Sequence, residues 1–532
     1  MLLILSARTV GEDIALHYGR LPPSFLPLGS RRLFSWQVEG AEGPVAMTVP
    51  DAYDIAPTDR AALKAAGVRL LPQPSGLSLT QAIRAALAAL GPVGPLRLLY
   101  GDTLLTLERP PPGPDWVAVQ STTSNYPWAF VTEAAGAVRF CDEPPCQLGG
   151  RRVVCGAFGI SDPALLARAC EAGGIVEALN AYAAERSLIA APAEEWFDFG
   201  HLPLYLRSKQ RIMVARAFNE LRFERHALVK RSADTAKMRA EAGWYEALPA
   251  ALALHVPRYR GRVERGHQAG YAVEYLYHPL LSDLAAFGAL PLPSWLEILT
   301  ACLDLFDACR AIRPDPGAPE ASPGFAAAFY EGMILGKTRE RLGRYLEGAD
   351  LALGDAIALN GRPLPPLGDL VERAIAAVPP TTPDHVRFWH GDLFYGNLFH
   401  DFTARRALAI DPRGQDAAGQ PCLFGDWRYD LAKLAHSVIG QYDRIILGRA
   451  TLTEAGPRDW TLDLSETPIQ TRVEEIFLAE IEARYGIAAR EITALTALLF
   501  FSMLPLHAER PDLQRLMLAN GMRLAARIGD GP

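Results

Sequence analysis

Paired cysteines, blocks of basic residues and long apolar runs are all missing from this 532-residue chain, and each gap excludes a class of protein. Seven cysteines, at 141, 146, 155, 170, 302, 309 and 422, form no CxxC pair and leave an odd count. Neither a disulfide framework nor a zinc site is expected from them, and buried reduced thiols are. The 53 basic and 60 acidic residues give a formal charge of −7 with no long Lys/Arg block. Such a chain cannot neutralise a phosphate backbone, so nucleic acid is not an expected partner. The opening MLLILSA is apolar but short, lacks a basic n-region and is followed by charged residues, so it reads as a buried first strand. The stretch Ile492 to Leu506 is about one core helix long and is closed by Pro505, short of the roughly 20 residues a membrane span needs. These gaps leave a cytoplasmic protein, without a membrane span, whose partners are small molecules.

What is present is a normal folded composition, 49% hydrophobic and 21% charged. The length suggests more than one unit, since a domain usually runs to roughly 100 to 200 residues. Over residues 1–211 short apolar runs alternate with helical stretches: LLILSA, VAMTVP, a helix around Thr58 to Ala66, VRLLPQ, a helix from Leu79 to Leu90, then LRLLYGD. That alternation predicts an open α/β sheet with crossover helices. From residue 212 the pattern changes. NELRFERHALVKRS alternates like a hairpin edge, and Thr235 to Leu248 carries Met238, Glu241, Tyr245 and Leu248 on one helical face. Residues 212–290 read as a small lobe and 291–532 as a mostly helical one. The exception is Arg387 to Pro412, where two apolar strands flank a polar loop.

That exception holds the chemistry. Phosphoryl transfer needs a carboxylate to orient and deprotonate the attacking hydroxyl, and oxygen ligands for the magnesium that gathers the phosphates. VRFWHGDLFYGNLFH places Asp392 and Asn397 five residues apart in one loop, and the strand ALAID returns Asp411 to the same edge. Beyond it, Asp426 and Asp430 of GDWRYDLAKL read as braces for the loop and the helix that follows.

HGDLFYGN and AIDPRG resemble the HGDxxxxN loop and I-D strand end of the aminoglycoside phosphotransferase and choline kinase family, which is similar in fold to protein kinases. The resemblance implies Asp392 as catalytic base, His390 as loop organiser, and Asn397 and Asp411 as magnesium ligands. It further implies ATP binding by Lys230, paired with Glu241 or Glu246, Glu241 being preferred, and a hinge at VEYLYHP, residues 273–279. No GxGxxG precedes Lys230. The aromatics Trp389, Phe394, Tyr395, Trp427 and Tyr429 offer cation–π contact to an amine substrate or, equally, core filling.

The first 211 residues look like a sugar-phosphate or choline-phosphate nucleotidyltransferase. The matching segments are LLILSA, FLPLGSRRLFSWQVE, QPSGLSLTQAI, LLYGDTLL and WFDFGHLPLYLRS. The likeness implies magnesium on Asp102 and Asp198, and nucleotide contacts from Gln73 and Gly76. The departures are the first loop, SARTVGEDIALHYGR, which lacks the family's glycine-rich, arginine-bearing form, and Ser24, which stands at the family's lysine position. Arg8, Arg20 or Arg31 could supply the missing charge. The fold expected is therefore an α/β, Rossmann-like (GT-A type) nucleotidyltransferase-like domain, followed by an α+β protein-kinase-like domain with a mostly helical C-lobe. The function implied is a bifunctional transferase. An ATP-dependent kinase would act on a sugar, polyol or amino alcohol, and a transferase using CTP or another NTP would then make an activated precursor for surface (capsule) polysaccharide or headgroup synthesis. The alternative is an active kinase carrying a non-catalytic nucleotidyltransferase-like domain.

Overall fold

Leu3 and Ile4 have no exposed surface, and the run that contains them forms the strand Leu2–Leu5 in the interior of a sheet. The computed structural model describes residues 1–108, 111, 113, 115–124, 126–134, 137–143, 151–216, 221–224 and 227–529. The chain divides into two units, Met1–Met213 with Phe287–Ala289, and Val214–Ala286 with Leu290–Pro532.

In the first unit, Leu2–Leu5 pairs in parallel with Val45–Pro50 on one side and Leu96–Tyr100 on the other, and Val68–Gln73 extends the parallel run. The chain between these strands forms the helices Pro57–Ala65 and Leu79–Leu90. Ser78 starts the second of them with a capping box to Gln81, which satisfies backbone donors the helix leaves open. Arg151–Ile160 then adds antiparallel to Leu96–Tyr100, Trp116–Thr122, Ile189–Asp198 and Thr103–Leu107 continue the sheet, and Phe130–Ala134 with Ala137–Cys141 branches from Arg151–Ile160 to complete it. Ser6 and the Gly101–Asp102 turn sit just past the carboxyl ends of two adjacent parallel strands, the usual ligand-binding edge of such sheets.

The second unit opens with an antiparallel sheet ordered Leu221–Glu224, Ala227–Ser232, Gln268–Glu274, Tyr259–Arg265, with the helix Thr235–Glu246 between its second and third members along the chain. The rest is mostly helical. Ala489–Met503, the most apolar helix, is buried at every position from Ile492 to Met503, and each large apolar side chain buried there contributes about 1.5–3 kcal/mol. The segment Ala489–His507 is long and apolar enough to cross a membrane by composition, yet 72% of it is buried inside the unit. The six described cysteines are free thiols, and Cys146 lies outside the described residues.

One feature departs from the helical expectation for 291–532. Ala358–Leu359, Arg362–Pro363, Thr451–Gly456 and Asp459–Asp463 form a second four-stranded sheet. Two of its strands have only two residues, too few for a period-2 pattern to register.

Candidate active site

In the second unit the site is built on a loop between two short pairings. Val386–Phe388 pairs antiparallel with Phe424–Asp426, and Leu398–Asp401 turns back as Arg406–Ala409. Between them runs the segment His390 to Asn397. The hairpin's return strand passes Asn397, where the Ile410 N–H donates to the Asn397 carbonyl at 2.9 Å, so Asp411 arrives beside the loop. Asp411 has φ +56°, a left-handed conformation that costs a non-glycine residue energy and concentrates at functional sites.

One buried carboxylate holds this loop, and a second caps the helix that follows. Asp430 accepts from the His390 and Gly391 amides, both at 2.7 Å. Asp426 accepts from the Arg428 amide and guanidinium and from the Thr381 hydroxyl at 2.6 Å. Gly391 has φ +80°, and a Cβ there would lie 2.6 Å from Arg413 Cβ, so the turn that presents Asp392 admits only glycine without strain. His390 is buried and its Nδ1 accepts from the Asp392 amide at 3.3 Å. Burial lowers its pKa to about 4, so the imidazole is neutral at ordinary pH.

The reactive groups meet on a cavity of about 480 Å³. Asn397 Nδ2 donates to Asp392 Oδ2 at 3.1 Å and to the Asp392 carbonyl at 2.9 Å. Lys230 Nζ lies 2.9 Å from Glu241 Oε2 and 3.1 Å from Asp411 Oδ1. The Tyr271 hydroxyl lies 2.9 and 3.2 Å from those two carboxylates, in place to donate its single proton to either one. Glu241, on the helix Thr235–Glu246, is 2% exposed, whereas Glu246 pairs at the surface with Arg262 and Tyr259. Glu241 is thus the partner of Lys230.

Lys433 was not singled out by the sequence, yet its Nζ sits 2.8 Å from Asp392 Oδ1. Burial pushes Asp392 up, but the Lys433 ammonium and its hydrogen bond, with Arg413 and other nearby charge, together hold the carboxyl below its usual range. Lys337, Arg341 and Arg413 also line this cavity and were likewise missed. Of the five aromatics, Trp389, Tyr395 and Trp427 are buried and belong to the core. Phe394 and Tyr429 reach the cavity, where each already faces a lysine, Lys433 and Lys337 respectively.

In the first unit Asp102 and Asp198 come together. Gly200 makes room for them, since a Cβ there would lie 2.7 Å from Asp102 Oδ2 and 3.4 Å from Asp198 Oδ1. Burial and the facing Asp198 raise Asp102 to about 6, as expected for a buried carboxylate beside another. Trp128 Nε1 donates to Asp198 Oδ2 at 2.8 Å, and the bond to Asp198 raises His201 above its ordinary value. Gln37 donates to the carbonyls of Tyr100, Gly101 and Thr103, clamping the turn that carries Asp102. Trp128, His201 and Gln37 were not anticipated, because nothing local in sequence links them to Asp102.

The expected cations are placed less favourably. Ser24 is fully buried, its amide bonded to Ser6 Oγ and its hydroxyl to the Gly101 carbonyl. Arg20 faces Glu12 at the surface. Arg31 pairs with Glu39 at 3.2 Å and stacks on Trp36, and Arg8 is exposed. Gln73 is buried and donates to the Ala82 carbonyl at 2.9 Å. Gly76 is exposed with φ +92°.

Among the described residues no group of three or more His, Cys, Asp or Glu side chains is arranged to hold a metal by itself. Each site offers two side-chain oxygen donors, Asn397 with Asp411 and Asp102 with Asp198, which suits a hard cation that completes its shell with phosphate oxygens and water.

No protein-family model and no curated protein matches the chain. Among solved structures, a nucleoside-diphosphate-sugar pyrophosphorylase from Vibrio cholerae is 16% identical over 40% of this chain and 100% of its own, with a TM-score of 0.33. An inositol-1-phosphate CTP transferase from T. maritima is 12% identical over 40% of this chain and 95% of its own, with a TM-score of 0.31. A thermostable mutant of aminoglycoside phosphotransferase APH(4)-Ia is 14% identical over 57% of this chain and 88% of its own, with a TM-score of 0.36.

Proposed function

We propose that the second unit is an ATP-dependent phosphotransferase acting on an alcohol. The observation that carries this reading is the convergence of Asp392, Asn397, Asp411 and the Lys230–Glu241 pair on one cavity. Lys230, held by Glu241, binds nucleotide phosphate. Asn397 spends its amide nitrogen on Asp392, so its carbonyl oxygen and the Asp411 carboxylate are the groups that would hold magnesium. Magnesium, when bound, neutralises charge on the transferring phosphate. Asp392 accepts the acceptor's hydroxyl proton as that oxygen bonds to the γ-phosphorus, and the bond from the γ-phosphorus to the β–γ bridging oxygen breaks to release ADP.

For the first unit we infer a nucleotidyltransferase site at Asp102 and Asp198. It would join a phosphorylated product to CTP or another NTP with loss of pyrophosphate, giving an activated precursor for surface polysaccharide or headgroup synthesis. The buried Ser24, bonded to backbone where a cation was expected, supports a second reading in which this unit binds nucleotide without turning it over.

The test is ADP release from magnesium-ATP by the purified chain with a panel of sugars, polyols, amino alcohols and their phosphates and acids. Release is expected with at least one compound, and Asp392→Ala should reduce it about 10²- to 10⁴-fold, the usual contribution of a positioned base. Equal release by the variant would remove Asp392 from the mechanism.

A further inference from the structure

The cavity's charge is unbalanced in a way that the kinase reading leaves unused. Lys230 is matched by Glu241 and Lys433 by Asp392. Lys337, Arg341 and Arg413 also line the cavity, and among the described residues none of them has a carboxylate within 4.0 Å, each bonding only to neutral groups. Lys337 Nζ donates to Tyr429 OH at 3.0 Å, Arg341 to the Ser502 carbonyl at 3.2 Å, and Arg413 Nε to the Gln415 carbonyl at 2.9 Å.

The placement of Lys337 and Arg341 separates them from the Lys230 side, while Arg413 follows Asp411 by two residues. Lys337 and Arg341 stand one turn apart on the helix Lys337–Leu346, so both project from one face. Tyr429, which Lys337 contacts, and Lys433, which contacts Asp392, are likewise one turn apart on Trp427–Val438. The cationic group therefore joins the site through the base, while Lys230 joins it through Glu241 and Asp411. A half-buried lysine without a counter-charge is costly to keep, and an arginine four residues on compounds the cost by like-charge repulsion. An anion bound between them would relieve both.

Resting on the kinase reading above, we propose that the acceptor is an anionic alcohol, a sugar or polyol already bearing a phosphate or carboxylate, and that Lys337, Arg341 and Arg413 hold its anionic group while its hydroxyl faces Asp392. The amine recognition open to the aromatics is thereby disfavoured. Phe394 and Tyr429, which do reach the cavity, are occupied by Lys433 and Lys337, and a cationic substrate would meet like charge.

The experiment is calorimetric titration of inorganic phosphate, and separately acetate, into the full chain with the nucleotide site filled by magnesium and a non-hydrolysable ATP analogue. Phosphate is expected to bind in the presence of the analogue. Lys337→Met and Arg341→Met should weaken it at least tenfold, while Lys337→Arg restores it and Arg339→Met, on the same helix but paired with Glu372 at the surface, leaves it within twofold. Stronger phosphate than acetate binding assigns a phosphorylated acceptor, and the reverse assigns a sugar acid. Four results overturn the proposal: neither phosphate nor acetate binds while the analogue does; anion binding is kept in Lys337→Met and Arg341→Met; Lys337→Met weakens the analogue in place of the anion; or choline binds in the anion's place. If the analogue itself fails to bind, the kinase reading falls and this inference with it, an outcome distinct from the other four.

Discussion

At the scale of single residues, the group that most shapes the proposed chemistry is Lys433. Its ammonium, 2.8 Å from Asp392 Oδ1, is the leading charge opposing the burial that would raise that carboxyl. An opposite charge at this range favours the ionised form. Removing it must therefore raise the Asp392 pKa, so that less of the base is ionised at mildly acidic pH. Lys433→Met is expected to shift the acid limb of kcat/KM for the acceptor to higher pH, read from a pH–rate profile with saturating magnesium-ATP and the acceptor well below its KM. An unmoved limb would show that Lys433 does not act through Asp392. The sequence showed the loop better than it showed this lysine. Asp392 and Asn397 share one short segment whose spacing is itself the signal, and Asp411 follows at the end of an apolar strand. Lys433 lies on a helix whose lysine, read in one dimension, looks like any solvated helical position. Only the packing of that helix beside the loop makes it the base's partner, and the same is true of Lys337 and Arg341.

At the scale of elements, the loop is a turn pinned from both sides, and its tolerance can be measured. Gly391 carries φ +80°, and any side chain there meets Arg413 Cβ at 2.6 Å. The same turn donates two amides to Asp430. Gly391→Ala combines left-handed strain of about 1–3 kcal/mol with a clash that moves Asp392. It should lower thermal stability by several degrees and activity by more than stability alone explains. Thermal melting beside ADP release checks this, and full activity in a folded variant would show that the turn is adaptable. Elements were readable where their signals are local. The helix Leu79–Leu90 starts at a capping box and carries an apolar stripe, and the alternating strands before it each fill with apolar residues. In the second sheet, the pairing of Ala358–Leu359 with Asp459–Asp463 was not readable, since the partners lie about a hundred residues apart and Ala358–Leu359 is too short to show a period, whereas the hairpin of Thr451–Gly456 with Asp459–Asp463 is local and was missed.

At the scale of the whole molecule, the two proposed reactions rest on residues that share no side chain. Asp102, Asp198 and Ser24 belong to the first unit, and Lys230 through Lys433 to the second. If each site works alone, a defect in one should leave the other intact once its substrate is supplied. Asp392→Ala should lose ADP release yet retain pyrophosphate release from NTP when the phosphorylated product is made separately and added. Asp102→Asn should do the opposite. Asp102 is the informative choice because its carboxyl is held near 6 by burial and Asp198, so a cation bound between the two should stabilise the native chain, and the asparagine variant should lose that metal-dependent stabilisation. Three outcomes separate the readings. Independent loss of the two activities supports two catalytic sites. Absence of pyrophosphate release from the native chain, with metal-dependent stabilisation preserved, favours a first unit that binds nucleotide without turning it over, and the buried Ser24 is then the reason, since no cation stands where the leaving pyrophosphate needs one. Loss of pyrophosphate release in Asp392→Ala despite added phosphorylated product would contradict both, because it would place the second unit's base in the first unit's reaction.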